Sequence, residues 1–408
     1  MRDEMKKVPR LRFRGFQEDW ELCKLKEITE RVKGNDGRMD LPTLTISAGQ
    51  GWLNQKDRFS GNIAGKEQKN YTLLLKNELS YNHGNSKLAK YGAVFSLKTY
   101  EEALVPRVYH SFKSTKNSDP DFLEYIFATK KPDKELGKLV SSGARMDGLL
   151  NINYDDFSNI KINIPHIHEQ KKISNLLRKI DNTITLHQRK LEQLKELKTA
   201  YLQVMFPAKD ERVPKLRFAA FEDDWKLCKL GSILEERNEQ MAENNEYYLM
   251  SFVQGKGVTP KGDRYDRSFL VKDEKKKYKK TEFGDFIYSS NNLERGSIGF
   301  NRTGKALISP VYSIFKSKNQ LESQFIGILS ERKSFINRMT KFRQGVVYGQ
   351  WRIHESDFLN VEVRVPSHME QKGIIKFFSN LDNMIIIHQN KLNQLKALKK
   401  AYLQNMFI

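Results

Sequence analysis

From Ile173 onward, apolar residues recur at steps of four and three: Ile173, Leu177, Ile180, Ile184, His187, Leu191, Leu194, Lys198, Tyr201 and Met205. Eight of these ten positions are apolar or aromatic, which is a heptad seam on a long helix. The same pattern returns at Ile374, Phe378, Leu381, Ile385, His388, Leu392, Leu395, Lys399, Tyr402 and Met406, with His and Lys at the same two interruptions. Each helix is expected to start after its proline, Pro165 or Pro366, and to run about 38 residues, or ~57 Å at ~1.5 Å per residue. A helix of that length outreaches a domain of roughly 150 residues, so the two equal seams are expected to pair. Pseudo-twofold symmetry makes the pair antiparallel, an antiparallel coiled coil that brings His187 towards His388 across the axis.

A second repeat precedes the helices. Val8 to Ile28 (VPRLRFRGFQEDWELCKLKEI) matches Val213 to Ile233 (VPKLRFAAFEDDWKLCKLGSI) at 13 of 21 positions, and Ile164 to Phe206 matches Val365 to Phe407 at 23 of 43. Between these frames, residues 29–163 and 234–364 correspond only at scattered points such as Tyr81 with Tyr288 and Gly92 with Gly299. Such a pattern is duplication of a whole domain, since the period far exceeds that of a solenoid. Short β-rich runs bounded by turn residues predict strands at Leu41 to Ser47, Leu73 to Leu79, Ala93 to Leu97 and Val105 to Phe112. The second copy predicts them at Tyr247 to Val253, Phe286 to Tyr288, Ser297 to Phe300 and Ala306 to Phe315. Helices are expected at Pro120 to Thr129 and Gln320 to Thr340, and a linker at Phe206 to Arg212. The fold class is therefore two mixed α/β (α+β) domains separated by two long helices. The expected boundaries are 1–165, 166–207, 208–365 and 366–408.

Charge changes the picture. A net charge of +21 and a pI near 9.6 favour a polyanionic partner, most simply nucleic acid. Cys23 and Cys228 occupy one repeat position in the run LCKL and read as small buried hydrophobes in a reducing compartment. No stretch reaches ~18 continuous apolar residues and the N-terminus lacks a signal-peptide core, so a soluble cytoplasmic protein with no membrane partner is expected.

Catalytic signatures are missing. GNIAGKE at Gly61 falls one residue short of a phosphate loop and lacks the hydroxyl after Lys66; HEQKK at His168 lacks the second histidine of a zinc-protease helix. No cofactor turn or Asn/Asp-Pro-Pro-aromatic run of a methyltransferase is present. Asp119 and Glu124 are conceivable nuclease ligands for a metal, but STKNSDPDFLEYI reads as a turn and a helix start. No catalytic or metal site is assigned.

What the divergent segments carry is hydrogen-bonding side chains in glycine-containing stretches, suited to base edges and phosphates. In the first, Gly49 to Asn62 offers Gln50, Asn54, Lys56 and Arg58; Tyr81 to Gly92 offers Asn82, His83, Asn85, Lys87 and Lys90; Ser141 to Gly148 offers Arg145. In the second, Val253 to Arg267 offers Gln254, Lys256 and Arg264; Tyr288 to Lys305 offers Asn291, Asn292, Arg295, Arg302 and Lys305; Arg343 to Arg352 offers Arg343, Gln344, Tyr348, Gln350 and Arg352.

Two different readers on one repeated frame imply a bipartite, asymmetric DNA site. On the paired entries LRFRGFQEDWELCKL and LRFAAFEDDWKLCKL, and the helix starts IPHIHEQKKI and VPSHMEQKGI running into LxQLKxLKxAYLQxMF, the chain resembles the specificity subunits of type I restriction and modification systems. The resemblance covers nearly the whole chain. It implies that this subunit is not an enzyme and reads double-stranded DNA, while two modification subunits methylate adenine with S-adenosylmethionine and restriction subunits use ATP and Mg2+. It also implies that the helices and frame, around Lys195 and Lys396, dock the modification subunits. The readings left open are a self-contained restriction endonuclease and a scaffold that pairs two protein partners.

Overall fold

The computed structural model of the chain describes residues 8–59, 65–84, 86–140, 149–253, 256–260, 277–293, 297–347 and 350–408. Two compact units result: Met1–Gln188 with Asn390–Ile408, and Arg189–Gln389. Each therefore contains the first part of one long helix and the last part of the other. These helices are Ile167–Val204 and His368–Asn405, 38 residues each, starting just past the two prolines as the pattern predicts.

The first unit is built on an antiparallel sheet in the order Thr29–Val32, His110–Ser114, Leu79–Asn82, Ala93–Ser96. The second repeats that order with Leu234–Glu236, Ser313–Ser317, Phe286–Tyr288 and Ile298–Phe300. A helix covers the last strand in both, Pro120–Ala128 in one and Glu322–Leu329 in the other. Fully buried Tyr81 lies 4.4 Å from the ring of Phe157, nearly parallel to it; Tyr288 packs the same way near Phe358 at 5.0 Å, although tilted. Gly92 explains the other scattered correspondence on its own side. It has φ +83° and sits so close to Tyr81 and the Asn82 carbonyl that a methyl group there would come within 2.5 Å of both.

The repeated sequence makes repeated contacts. Glu21–Lys24 pairs with Lys161–Ile164, and Lys226–Lys229 pairs with Glu362–Val365, in the same antiparallel register; Cys23 faces Ile162 and Cys228 faces Val363. The Arg12 guanidinium donates to both oxygens of Glu169 at 2.8 Å, and Arg217 to both oxygens of Glu370 at 2.8 and 2.7 Å. Both carboxylates are 1% exposed. Beside them, Gln170 and Gln371 donate to the carbonyls of Pro165 and Pro366, which fixes each helix start. The copies differ at the tryptophan: Trp225 Nε1 donates to Glu370 at 3.4 Å, whereas buried Trp20 Nε1 has no acceptor among the described residues.

The helices pack antiparallel within each unit. In the second, Lys198 bonds Asp382 at 2.6 Å and the Tyr201 ring meets Phe377 edge-on at 4.9 Å, so rising numbers on one helix meet falling numbers on the other. In the first, Lys399 bonds Asp181 at 2.6 Å, and Met406 and Phe407 enter the core with Ile173 and Leu177. The lysines interrupting the seams are thus satisfied by aspartates from the opposite helix.

Several elements are shorter than their apolar runs. The run Leu73 to Leu79 is two strands separated by a turn at Asn77, which has φ +69°. Val105 to Phe112 is broken by the turn in which Tyr109 N donates to Pro106 O, and Ala306 to Phe315 by the turn closed between Tyr312 N and Ser309 O. Gln320 to Thr340 is two helices, Glu322–Leu329 and Lys333–Thr340, because the chain turns at Ser330 to Arg332 and points Glu331 at Lys198. The cysteines are half-buried rather than buried; desolvation pushes the Cys23 thiol up to about 11 and raises Cys228 as well.

Candidate nucleic-acid interface

In the first unit, two of the three polar segments converge. The strands Leu44–Ser47 and Gly51–Asn54 form a hairpin whose turn carries exposed Gln50. Asn82 donates to Ile46 O at 3.3 Å and accepts from Gly84 N at 3.0 Å, tying the 81–92 segment to that hairpin. Exposed Lys87 and Lys90 follow, Lys90 with its ammonium 5.2 Å from the Tyr91 ring. Past the hairpin, half-buried Asn54 caps the turn through Lys56 N, and Lys56 and Arg58 are exposed. His83 is different. It is 6% exposed, and its ring nitrogens lie 2.6 and 2.9 Å from the carbonyl oxygens of Leu150 and Val108, so it ties strand to loop from within. Its ring stacks on His110 at 5.0 Å; burial pushes the His110 imidazole down to about 4, which keeps it neutral. Gly84 also bridges Leu149, so the chain leaving the third segment returns to the second.

In the second unit, the segments Tyr288 to Lys305 and Arg343 to Arg352 converge on Ser290. Arg343 Nη2 donates to Ser290 O at 3.1 Å and Ile353 N to Ser290 Oγ at 3.0 Å, beside exposed Asn291. Gln344 donates to Asp357 Oδ2 at 3.0 Å, and Arg352 is exposed. Lys256, also exposed, follows the strand Tyr248–Val253 in another hairpin. Arg302 and Lys305 are drawn into ion pairs. Arg302 bonds Asp382 at 2.5 Å and reaches Glu331 at 3.5 Å; Lys305 pairs with Glu246. Asn85, Arg145, Gln254, Arg264, Arg295 and Tyr348 lie outside the described residues, as do the side chains of Asn292 and Gln350.

Asp119 and Glu124 hold the fold locally. Asp119 caps its helix through Phe122 N at 2.9 Å, and half-buried Glu124 accepts from Ser96 N at 3.0 Å. No three His, Cys, Asp or Glu side chains among the described residues converge as metal ligands, and no described helix is long and apolar enough to cross a membrane. Sequence reasoning overlooked Arg12, Glu169, Arg217 and Glu370 as a set. Their signal was available, since each pair sits at matching positions of both repeats.

A family model described as a type I restriction modification DNA specificity domain matches residues 17–196 and again 222–397, the two copies of frame and insert. The chain belongs to that family. Among curated specificity subunits, the type I restriction enzyme MjaVIII subunit of Methanocaldococcus jannaschii is 24% identical over 306 residues, 68% of this chain and 67% of the relative. The putative MjaX subunit of the same organism is 23% identical over 403 residues, covering 94% and 91%. The crystal structure of a type I restriction-modification S subunit from M. genitalium has the same fold, with TM-score 0.64 at 14% identity over 98% of this chain and 99% of that one. Both matched stretches of the specificity domain begin in the entry repeat and end within a long helix; they take in Glu169 and Glu370 but start after Arg12 and Arg217.

Proposed function

We propose that this chain is the non-catalytic DNA-reading subunit of a type I restriction-modification complex. Residues 1–165 and 208–365 are its two target-recognition domains, each reading one half of a bipartite, asymmetric site; residues 166–207 and 366–408 are the helical regions that set the spacer. The observation that carries this reading is that identical frame contacts, Arg12 with Glu169 and Arg217 with Glu370, support two sets of loops with unlike side chains. The exposed candidates Gln50, Lys56, Arg58, Lys87, Lys90, Lys256, Asn291, Gln344 and Arg352 supply the DNA contacts. Arg302 and Lys305 act first as structural cations.

Two modification subunits dock on the helices. Leu186 and Ile387 stand at equivalent positions and are 67% and 64% exposed, and Leu197 and Leu398 are 43% and 41% exposed. Beside the exposed Lys195 and Lys396, Leu197 and Leu398 give each unit the same exposed apolar position rimmed by charge. Adenine methylation with S-adenosylmethionine, and ATP- and Mg2+-dependent cleavage, belong to those partner subunits and to the restriction subunits, in the cytoplasm.

The test is genome-wide adenine methylation in cells that express the matching modification subunit with and without this chain. One bipartite motif that appears only with the chain is the expected result. Methylation unchanged by its removal, with an active modification subunit, would rule the reading out.

A further inference from the structure

The strands Gln344–Val347 and Gln350–Arg352 form a two-stranded ribbon in the second unit. Its root is fixed. Ile353, 1% exposed, donates from its backbone to Ser290 Oγ and accepts at its carbonyl from the buried Tyr288 hydroxyl, while Arg343 donates to Ser290 O. Immediately after the root, the register shifts between Gln344 and Val346, where Gly345 has φ +42°. A glycine in that conformation makes a bulge that bends the strand and re-aims the side chains beside it.

The two faces of the ribbon are treated differently. Gln344 and Arg352 oppose one another; Gln344 donates to Asp357 Oδ2 at 3.0 Å, while Arg352 stays exposed with Glu355 4.0 Å away. Trp351, opposite Val346, projects to the other face and is 43% exposed, with the Arg343 guanidinium 5.7 Å from its ring centroid. A large indole left in water, steadied by a guanidinium that is itself anchored, is a preorganised contact surface, and such surfaces mark binding sites.

We infer that this bulged ribbon enters the major groove and that Trp351 is a specificity-determining residue for the half-site read by the second unit. The inference rests on the function proposed above. A two-stranded ribbon fits a groove about 12 Å wide, and an aromatic face meets the thymine methyl and neighbouring base edges there. Arg343 and Arg352, with exposed Lys341 just before them, bring positive charge to the flanking phosphates. Arg343 acts through the tryptophan as a positioning residue.

The experiment uses the full chain reconstituted with its modification subunits and a library of randomised duplexes, read for adenine methylation. Trp351→Ala is expected to lower discrimination at one or two positions of one half-site on the order of tenfold, with the other half and the spacer unchanged. Trp351→Phe retains most of the discrimination, and Arg343→Ala loses it at the same positions as Trp351→Ala. A wild-type motif indifferent to Trp351→Ala overturns the inference alone. A wild-type complex that imparts no bipartite motif overturns the functional reading and this inference with it. If Trp351→Ala lowers the melting temperature, acrylamide quenching decides: fluorescence present in wild type and absent from Trp351→Phe must become protected when cognate duplex is added. Unchanged quenching overturns the inference.

Discussion

Glu169 and Glu370 are carboxylates with almost no exposure, each satisfied by a two-pronged arginine, so their stability contribution is decided by what remains when a partner goes. Breaking one side of a buried pair leaves an uncompensated charge, and Arg12→Ala is expected to destabilise the first unit by about 3–5 kcal/mol in denaturant melts. Arg217→Ala does the same to the second unit. Because Trp225 also donates to Glu370 whereas Trp20 makes no such bond, the second loss is the smaller. His110 gives the first unit a pH dependence of its own. Its folded value is pushed down, to about 4, so the unfolded state binds the proton first. The stabilisation is complete above pH ~6.5 and is lost as pH falls from there through about 4, on the order of 3 kcal/mol in all. His110→Asn should flatten melting curves across that window, and stability at pH 8 falls as well because the ring that stacks on His83 and bonds Ile152 O is lost. At this scale the sequence was only partly legible. Residue type marked His83 and Arg302 as DNA contacts, and nothing local distinguishes them from Lys87 or Arg352. Burial of His83 against the carbonyls of Val108 and Leu150 comes from 25 and 67 residues away, and the pairing of Arg302 with Asp382 from 80 residues away.

The long helices were the most legible elements, since a seam repeated in two copies leaves little choice of period or start. The lysines within the seams gained their meaning only from the opposite helix. Lys198 is held by Asp382 and Glu331, and Arg302 joins the same two acids; Lys399 answers Asp181, which also accepts from the Tyr125 hydroxyl at 2.8 Å. Removing Asp382 leaves two cations facing one carboxylate, and Asp382→Ala is predicted to cost about 2–4 kcal/mol in the second unit. A double-mutant cycle of Lys198→Ala with Asp382→Ala should show coupling above ~0.5 kcal/mol, and Arg302→Ala should lower stability without relaxing any half-site. The strands were less legible, because an apolar run such as Leu73 to Leu79 continues unbroken in composition through a reversal made by one left-handed Asn77. Hydrophobicity reports burial on both sides of a turn and is silent about the turn itself.

For the whole molecule, duplication was visible in the sequence, and the matched sheet order of the two units extends it to segments whose residues had diverged. A chain of net charge +21 that reads DNA through several phosphate contacts should lose roughly 10³-fold or more in affinity between 50 and 200 mM salt, measured by competition binding with the modification subunits present. What remained hidden was which loops meet, since Ser290 gathers Arg343 and Ile353 only in three dimensions. One frame, written twice, is proposed to carry two different readers. Selection from a fully randomised duplex pool by the reconstituted complex tests it most directly. A single motif with two unlike half-sites at one fixed separation is the expected result. Two identical half-sites, one contiguous motif, or no enrichment would contradict it.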